Sequence, residues 1–548
     1  MRRLKRYGIL ALVLTIAILL TNCAVGEQPR SSLPTPSSPT ASPSVLVYGS
    51  SGQPVNLEPG NITDGNSVIA QNQIYNRLLE FKPGTTELAP ALATDWSVSS
   101  DGKTWTFKLR QGVKFHDGTP FDAEAVKFNI ERWWDANHPH GYRNAGKIYE
   151  IWEQLFGGFK DSSISLLKQV VVVDPYTIQL VLNQPFSAFP QAIGSSFFGI
   201  ASPTAIKQAG ANYGKPGSAI AGTGAFMFKE WRTGDRIVLA KNPNYWRSGF
   251  PKIDQLVLRF ISDPAARLAQ LRAGQLDFTV ELSPDQKQEV ESDTNLTALS
   301  RPSFNVGYLA LNPSYQPLSD QRVRQAIAYA INRPAIVQAF WGNAGIHDAH
   351  FTPPTLAWSQ DQTLTPYPYD PQQAKQLLTA AGYPNGFALE LWYMPVSRPY
   401  FPNPKPIAEA FAADLNAIGI RVTLKTKDWA AYISDRRKPP GYQSFMLGWT
   451  ADYADPDSFY YAHFGPGATD DIGNWRNTRV VDLLNQARAT IDQVSRAKLY
   501  SEVDRRLHQE VVRLPIVHSQ PLVAQRKTVA GWIPSPLGTE PFEAITKP

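Results

Sequence analysis

Two short stretches carry the residues best suited to chemistry. Residues 448–459 read GWTADYADPDSF, so Asp452, Asp455 and Asp457 crowd beside Trp449 and Tyr453 directly after an apolar run at 445–447. That order predicts a strand delivering acids and aromatic rings to a rim. Residues 394–403 read MPVSRPYFPN, with Arg398 set among Pro395, Pro399, Pro402 and the following Pro404. No helix propagates there, because each Pro lacks an N–H and fixes φ. An Arg on a stiff loop suits an anion, since its planar fork meets a carboxylate with two hydrogen bonds where Lys offers a point charge. The pair of loops is expected to grip the two ends of a small zwitterion.

Other chemistries use less of the pattern. Clustered carboxylates also suit a hard cation, but these three lack the alternate-residue spacing, following Gly and distal Glu of a calcium loop, and Pro456 stiffens the middle. Any one of them also serves as a turn or helix-cap carboxylate. The eight His are scattered, with no HExxH and no Gly-x-Ser-x-Gly elbow. His347 and His350 are three apart, but no zinc-site partner pattern surrounds them. Cys23 is the only cysteine, which removes disulfides, multi-Cys metal sites and a Cys nucleophile from the mature body. Residues 222–226, GTGAF, lack the Lys-Ser/Thr of a phosphate-cradling loop. No enzyme, metal site or cofactor is expected.

The elements that must position these residues follow from the rest of the chain. At 548 residues it exceeds the roughly 250 to 300 at which single cores stop growing, so at least two domains are expected. Arg2, Arg3, Lys5 and Arg6 precede an apolar run at 8–20 that is shorter than the ~20 residues of a membrane span. Residues 1–22 therefore read as a signal peptide. Residues 23–44, rich in Pro, Ser and Thr, read as an unfolded tether. The formal net charge of +6 owes four charges to that signal, and no Lys/Arg run interleaved with aromatics follows, so nucleic acid is not an expected partner.

Residues 45–48 read as a strand and 67–79 as a helix. Trp96 and Val98 alternate into the turn Ser100-Asp101-Gly102-Lys103, and Trp105, Phe107 and Leu109 alternate out of it, which predicts a hairpin. Residues 306–312 read as a strand. Ser319 is placed to cap a helix bearing Val323, Ile327 and Ile331, and Asn332 with Pro334 starts another. Asp370 opens and Gly382 closes a short helix, residues 407–418 run to Gly419, and residues 514–523 return as a strand. Such alternation predicts layered α/β lobes.

The hairpin region also carries a longer string. Trp96, Asp101-Gly102, Thr106-Phe107, Leu109-Arg110, residues 112–118 (GVKFHDG) and Phe121 stand in the places of a run that is similar to one in the solute-binding proteins of bacterial peptide-type ABC importers. The resemblance continues through GTGAF at 222–226, NPNYW at 242–246, residues 251–254 (PKID) and 323–336, and so spans nearly the whole mature chain. It implies an α/β, periplasmic-binding-protein-like fold of type II, from the large cluster with an extra domain, as two lobes around a hinged cleft. Residues 45–76, 221–300 and 525–548 are then a discontinuous lobe I, 77–220 a domain inserted in it, and 301–524 lobe II.

Within the family the two opening stretches resemble the dipeptide-receptor branch. By position, that likeness makes Asp452 the partner of a ligand α-amino group and Arg398 the partner of its carboxylate. Anchoring both ends fixes ligand length, since a chain extends about 3.3 to 3.6 Å per residue. The backbone of Trp449, Thr450 and Ala451 is expected to pair with the peptide main chain, with Trp449 and Tyr400 as lining. The stretch 464–476 has no Cys where dipeptide-branch relatives commonly hold a disulfide. Residues 20–23, LTNC, resemble a lipobox, which implies lipidation of Cys23 and an exported, membrane-anchored monomer facing the periplasm or cell exterior. The implied partners are a short peptide and the permease subunits of an ABC importer. Other open readings are a receptor for glutathione, haem or a metal chelate on the same scaffold, and a peptide-binding chaperone or signalling receptor.

Overall fold

A computed structural model describes residues 43–547. The signal peptide, Cys23 and the tether up to residue 42 lie outside the described residues. Ser44 already belongs to the fold, donating through N and Oγ to Asp254 at 3.0 Å each.

Three larger sheets organise the described residues, beside a two-stranded pair of Leu79–Phe81 and Leu88–Pro90. A seven-stranded sheet runs Leu296–Ser300, Leu522–Arg526, Phe278–Leu282, Val45–Ser50, Gln255–Phe260, Arg236–Lys241 and Phe226–Arg232. Its first strand in sequence lies at the centre, parallel to both neighbours. A six-stranded sheet runs Gly345–Ile346, Arg513–Ser519, Asn305–Leu311, Ser444–Thr450, Ala388–Trp392 and Arg421–Lys425. The strand Asn305–Leu311 (NVGYLAL) is buried at every residue, as expected of a central strand covered on both faces. The third sheet is the four-stranded antiparallel Ala93–Val98, Thr104–Leu109, Thr177–Leu182 and Leu167–Asp174. The first two strands form the hairpin read from the sequence, and Gly102 takes the φ of +69° its turn requires.

The four- and six-stranded sheets each carry their own apolar core. From Ala201 to Ala221, chain that follows the four-stranded sheet packs into the core of the seven-stranded one. Tyr453, from the acid-bearing stretch, packs instead into the core of the four-stranded sheet. Beside it, Ser187 N donates to Arg488 O at 2.7 Å and Ser187 Oγ to Ala487 O at 3.0 Å.

The chain passes between the two large sheets at residues 301–304 and again at 520–521. Asn305 ties the crossings together: its Oδ1 accepts from Ser519 N at 3.0 Å, and its Nδ2 donates to Ser519 O at 3.0 Å. The apolar stretch 514–523, expected as one strand, is therefore two in different sheets, because Gln520-Pro521 turns the chain between them. Two helix readings also change. The helix expected over 67–79 is Gly65–Ile74, and Leu79 begins a strand. The cap of Gln321–Ala330 is Asp320, whose carboxylate accepts from Arg322 N, rather than Ser319. The helices Arg333–Trp341 and Pro371–Ala380 start on Asn332 and Asp370 as expected.

Candidate functional site

A cleft of ≈ 1280 Å³ opens between the two large sheets, and Arg398, Tyr400, Trp449, Thr450, Ala451 and Asp452 all line it. Strand Ser444–Thr450 ends in Trp449 and Thr450 and places Ala451 and Asp452 just beyond it at the rim. It pairs along its whole length with Asn305–Leu311, but Ala388–Trp392 reaches only Ser444 and Phe445 on the other side. One backbone edge of residues 447–450 is thus without a strand partner in the sheet, which is the state main-chain pairing with an extended ligand needs.

The Arg398 loop is set on that strand by a glycine pair. Gly448 and Gly307 are register partners, and Tyr400 lies across them. A Cβ on Gly448 would fall 2.3 Å from the Tyr400 ring, and one on Gly307 would fall 2.8 Å from Tyr400 O. The turn itself closes through Phe401 N to Arg398 O at 2.9 Å and Arg398 N to Phe401 O at 3.0 Å, with Pro399 in the second position that its fixed φ favours. Tyr400 is buried, and burial pushes its phenol up to about 12. Tyr400 therefore packs the loop onto the strand besides lining the cleft. Gly448→Ala should force that loop outward at a cost of about 1–3 kcal/mol. A lowered melting temperature together with weaker solute binding is the expected result, and unchanged binding would show that the loop position does not matter.

Arg398 itself is exposed. Its guanidinium lies 5.0 Å over the Trp429 ring and donates through Nη1 to Ser397 O at 3.2 Å. Among the described residues no carboxylate pairs with it. Asp452 is its counterpart in isolation: half-buried, it donates from its own N to Ser458 Oγ at 3.2 Å, while its carboxylate has no hydrogen-bond or ion-pair partner among the described residues. Burial alone pushes that carboxyl up to about 7. Among the charged groups of the cleft, Asp452 and Arg398 are thus an acid and a base that lack a counter-charge and do not satisfy each other.

The other two acids of the stretch are spoken for. Asp455 Oδ1 accepts from Arg496 Nη2 at 2.7 Å. Asp457 accepts from Arg488 Nε at 2.8 Å and Nη2 at 2.7 Å, and from Tyr453 OH at 2.6 Å. Asp455 Oδ1 and both Asp457 oxygens meet guanidiniums, which disfavours the calcium-loop alternative. Among the described residues no three His, Cys, Asp or Glu side chains gather as metal ligands. His350 Nδ1 is bonded to Asp504 Oδ2 at 2.6 Å.

Trp449 is held on two sides. Its Nε1 donates to Ser458 O at 2.8 Å and its ring meets His463 edge-on at 5.1 Å. It is a rigid wall for whatever enters. Sequence reasoning missed a further group on the same side: Arg436 and Arg513 both line the cleft, and both bond Asp471, Arg513 through Nη2 at 2.6 Å. Nothing local in the sequence marks that triad, since its members come from three separate elements. The opposite wall comes from the seven-stranded side, including Asn66, Glu281 and Ser283.

Comparison with known proteins supplies the family. The model of the bacterial extracellular solute-binding proteins, family 5 (middle), matches residues 87–471. The chain is 36% identical over 514 residues to the dipeptide-binding protein of Escherichia coli K12, covering 91% of this chain and 94% of that one. It is 34% identical to heme-binding protein A of Haemophilus influenzae, covering 96% and 97%. Among solved structures, the dipeptide binding protein of Pseudoalteromonas sp. SM9913 in complex with Met-Leu superposes with a TM-score of 0.77 at 30% identity, covering 92% of this chain and 100% of that chain. With its mixed α/β sheets about an open cleft and this likeness along almost its full length, the chain belongs to the bacterial extracellular solute-binding proteins of family 5.

Proposed function

We propose that this protein captures dipeptides by their free ends, Asp452 taking the α-amino group and Arg398 the α-carboxylate, and delivers them to the permease of an ABC importer. The observation that carries the reading is the pair of opposite charges in one cleft, each without a counter-charge. Hydrogen bonds to charged groups contribute about 1.5 to 3 kcal/mol each, so the two ends supply most of the recognition and tolerate many side chains. The open edge of residues 447–450 takes the ligand main chain, and Trp449 covers it. Lobe I (45–76, 221–300 and the C-terminal return), the inserted domain (77–220) and lobe II turn about the crossings at 301–304 and 520–521 to close on the ligand. The exported chain is held at the membrane through a lipidated Cys23.

Calorimetric titration with Ala-Ala, N-acetyl-Ala-Ala and Ala-Ala amide tests the clamp. Free Ala-Ala is expected to bind at least about tenfold more tightly than either blocked form. Equal affinities for all three would sink the two-ended reading. A second reading has its own support: the cleft of ≈ 1280 Å³ exceeds the roughly 300–1,000 Å³ usual for small-molecule sites, and one relative is named for haem binding. Haem bound tightly with no response to Ala-Ala would favour it.

A further inference from the structure

We propose that Arg436 and Arg513, sharing Asp471, form a second anion-accepting pocket in the cleft, one that selects ligands carrying an acidic side chain. This rests on the peptide reading above and extends it to ligand composition.

Both oxygens of Asp471 are engaged. Its Oδ1 accepts from Arg513 Nη2 at 2.6 Å and its Oδ2 from Arg436 Nη1. Two guanidiniums against one carboxylate leave one net positive charge, and all three residues line the cleft while being buried. Arg513 spends its second Nη on His463 O at 3.2 Å. Arg436 does not: among the described residues its Nη2 has no hydrogen-bond partner, and its Nε has none either. His463, beside them, adds no charge, because burial holds its imidazolium form well out of reach at neutral pH. Nε is buried away from the cleft, but Nη2 is left without an acceptor on this wall, and a carboxylate from a ligand provides one. A neutral amide of the same shape meets the pocket with one weaker acceptor and two donors that repel the guanidinium hydrogens.

Arg436 is also the member whose loss the fold tolerates best. Removing it leaves Arg513 and Asp471 as a charge-matched pair, whereas removing Asp471 would leave two buried cations together.

Titration of the full-length protein with Ala-Glu and Ala-Gln, matched in size and ends, tests the pocket. The wild type is expected to bind Ala-Glu at least about tenfold more tightly, and Arg436→Gln to bring the two within about twofold. Arg436→Lys, which keeps the charge and loses the fork, is expected to retain part of the preference and serves if Arg436→Gln does not fold. Equal affinity for the two peptides in the wild type overturns the pocket, as does a preference that survives in Arg436→Gln. Binding of Ala-Ala alongside such a result leaves the two-ended clamp standing. If no dipeptide binds, Ala-Ala included, the clamp falls and the pocket with it.

Discussion

Acidification from pH 8 to pH 5 should weaken dipeptide binding by about 100-fold, and Asp452→Asn should abolish both the pH dependence and most of the affinity. Burial alone pushes the Asp452 carboxyl up to about 7. A ligand ammonium needs the ionised form, so below that pH each bound peptide must first release the Asp452 proton, and the apparent dissociation constant rises about tenfold per pH unit. Above it the dependence flattens. The same group makes an opposite contribution to the empty protein. Its folded pKa lies above the unfolded carboxylate range, so its contribution to stability is complete below about pH 4 and is lost as pH rises toward 7. The loss is at most about 4 kcal/mol, reduced by the solvent that the half-buried side chain still meets. Asp452→Asn should therefore stabilise the unliganded protein at pH 8 while it destroys binding. Titrations at pH 5, 6, 7 and 8, with melting curves at the same values, check both arms. A wild-type affinity that does not move between pH 5 and 7 would mean that Asp452 is not the amine partner.

How much of this was legible depended on the sequence distance over which the physics acts. Asp452 and Arg398 stand in contiguous motifs whose loop chemistry is local, and the structure brings both to one cleft. The hairpin at 93–109 and the caps at Asn332 and Asp370 are likewise local. Motif position singled out Asp452 and left Asp455 and Asp457 to shape its turn, but nothing local named what holds those two. Their partners Arg496 and Arg488 lie 41 and 31 residues further on, and only folding shows which acids are occupied. Tyr400 reads as ligand lining because its environment is invisible until Gly448 and Gly307 fall into register beneath it. The strand over 514–523 failed for a related reason. Apolar patterning reports burial but not which sheet does the burying, so a crossing at Gln520-Pro521 leaves no trace in hydropathy. Asp471, Arg436 and Arg513 left none at all.

Those occupied acids carry the second large effect. Asp457→Asn should lower stability by about 3–5 kcal/mol, the usual result of removing one partner from a buried pair. Asp457 is 1% exposed and meets the Arg488 guanidinium with both oxygens, while Arg488 is pressed over the Tyr461 ring at 3.3 Å. An amide in its place keeps the shape and leaves a guanidinium that is only 17% exposed to water. The partner change should recover most of the loss: Asp457→Asn with Arg488→Met removes both charges, and a double-mutant cycle in chemical denaturation should give a coupling of about 2 kcal/mol or more. A cycle near zero would mean that water reaches the pair and that it is merely a surface bridge. Binding should suffer as well, although neither residue is proposed to touch ligand. Asp457 accepts from Tyr453 OH, the following Ser458 holds Asp452 N and Trp449 Nε1, and Arg488 O meets Ser187 across the interface with the four-stranded sheet. The pair thus fixes the turn that aims Asp452. In Asp457→Asn the Ala-Ala affinity should fall while its midpoint near pH 7 persists, because the titrating carboxyl is still there. Loss of that midpoint together with the affinity would show that the altered turn no longer keeps the Asp452 carboxyl buried.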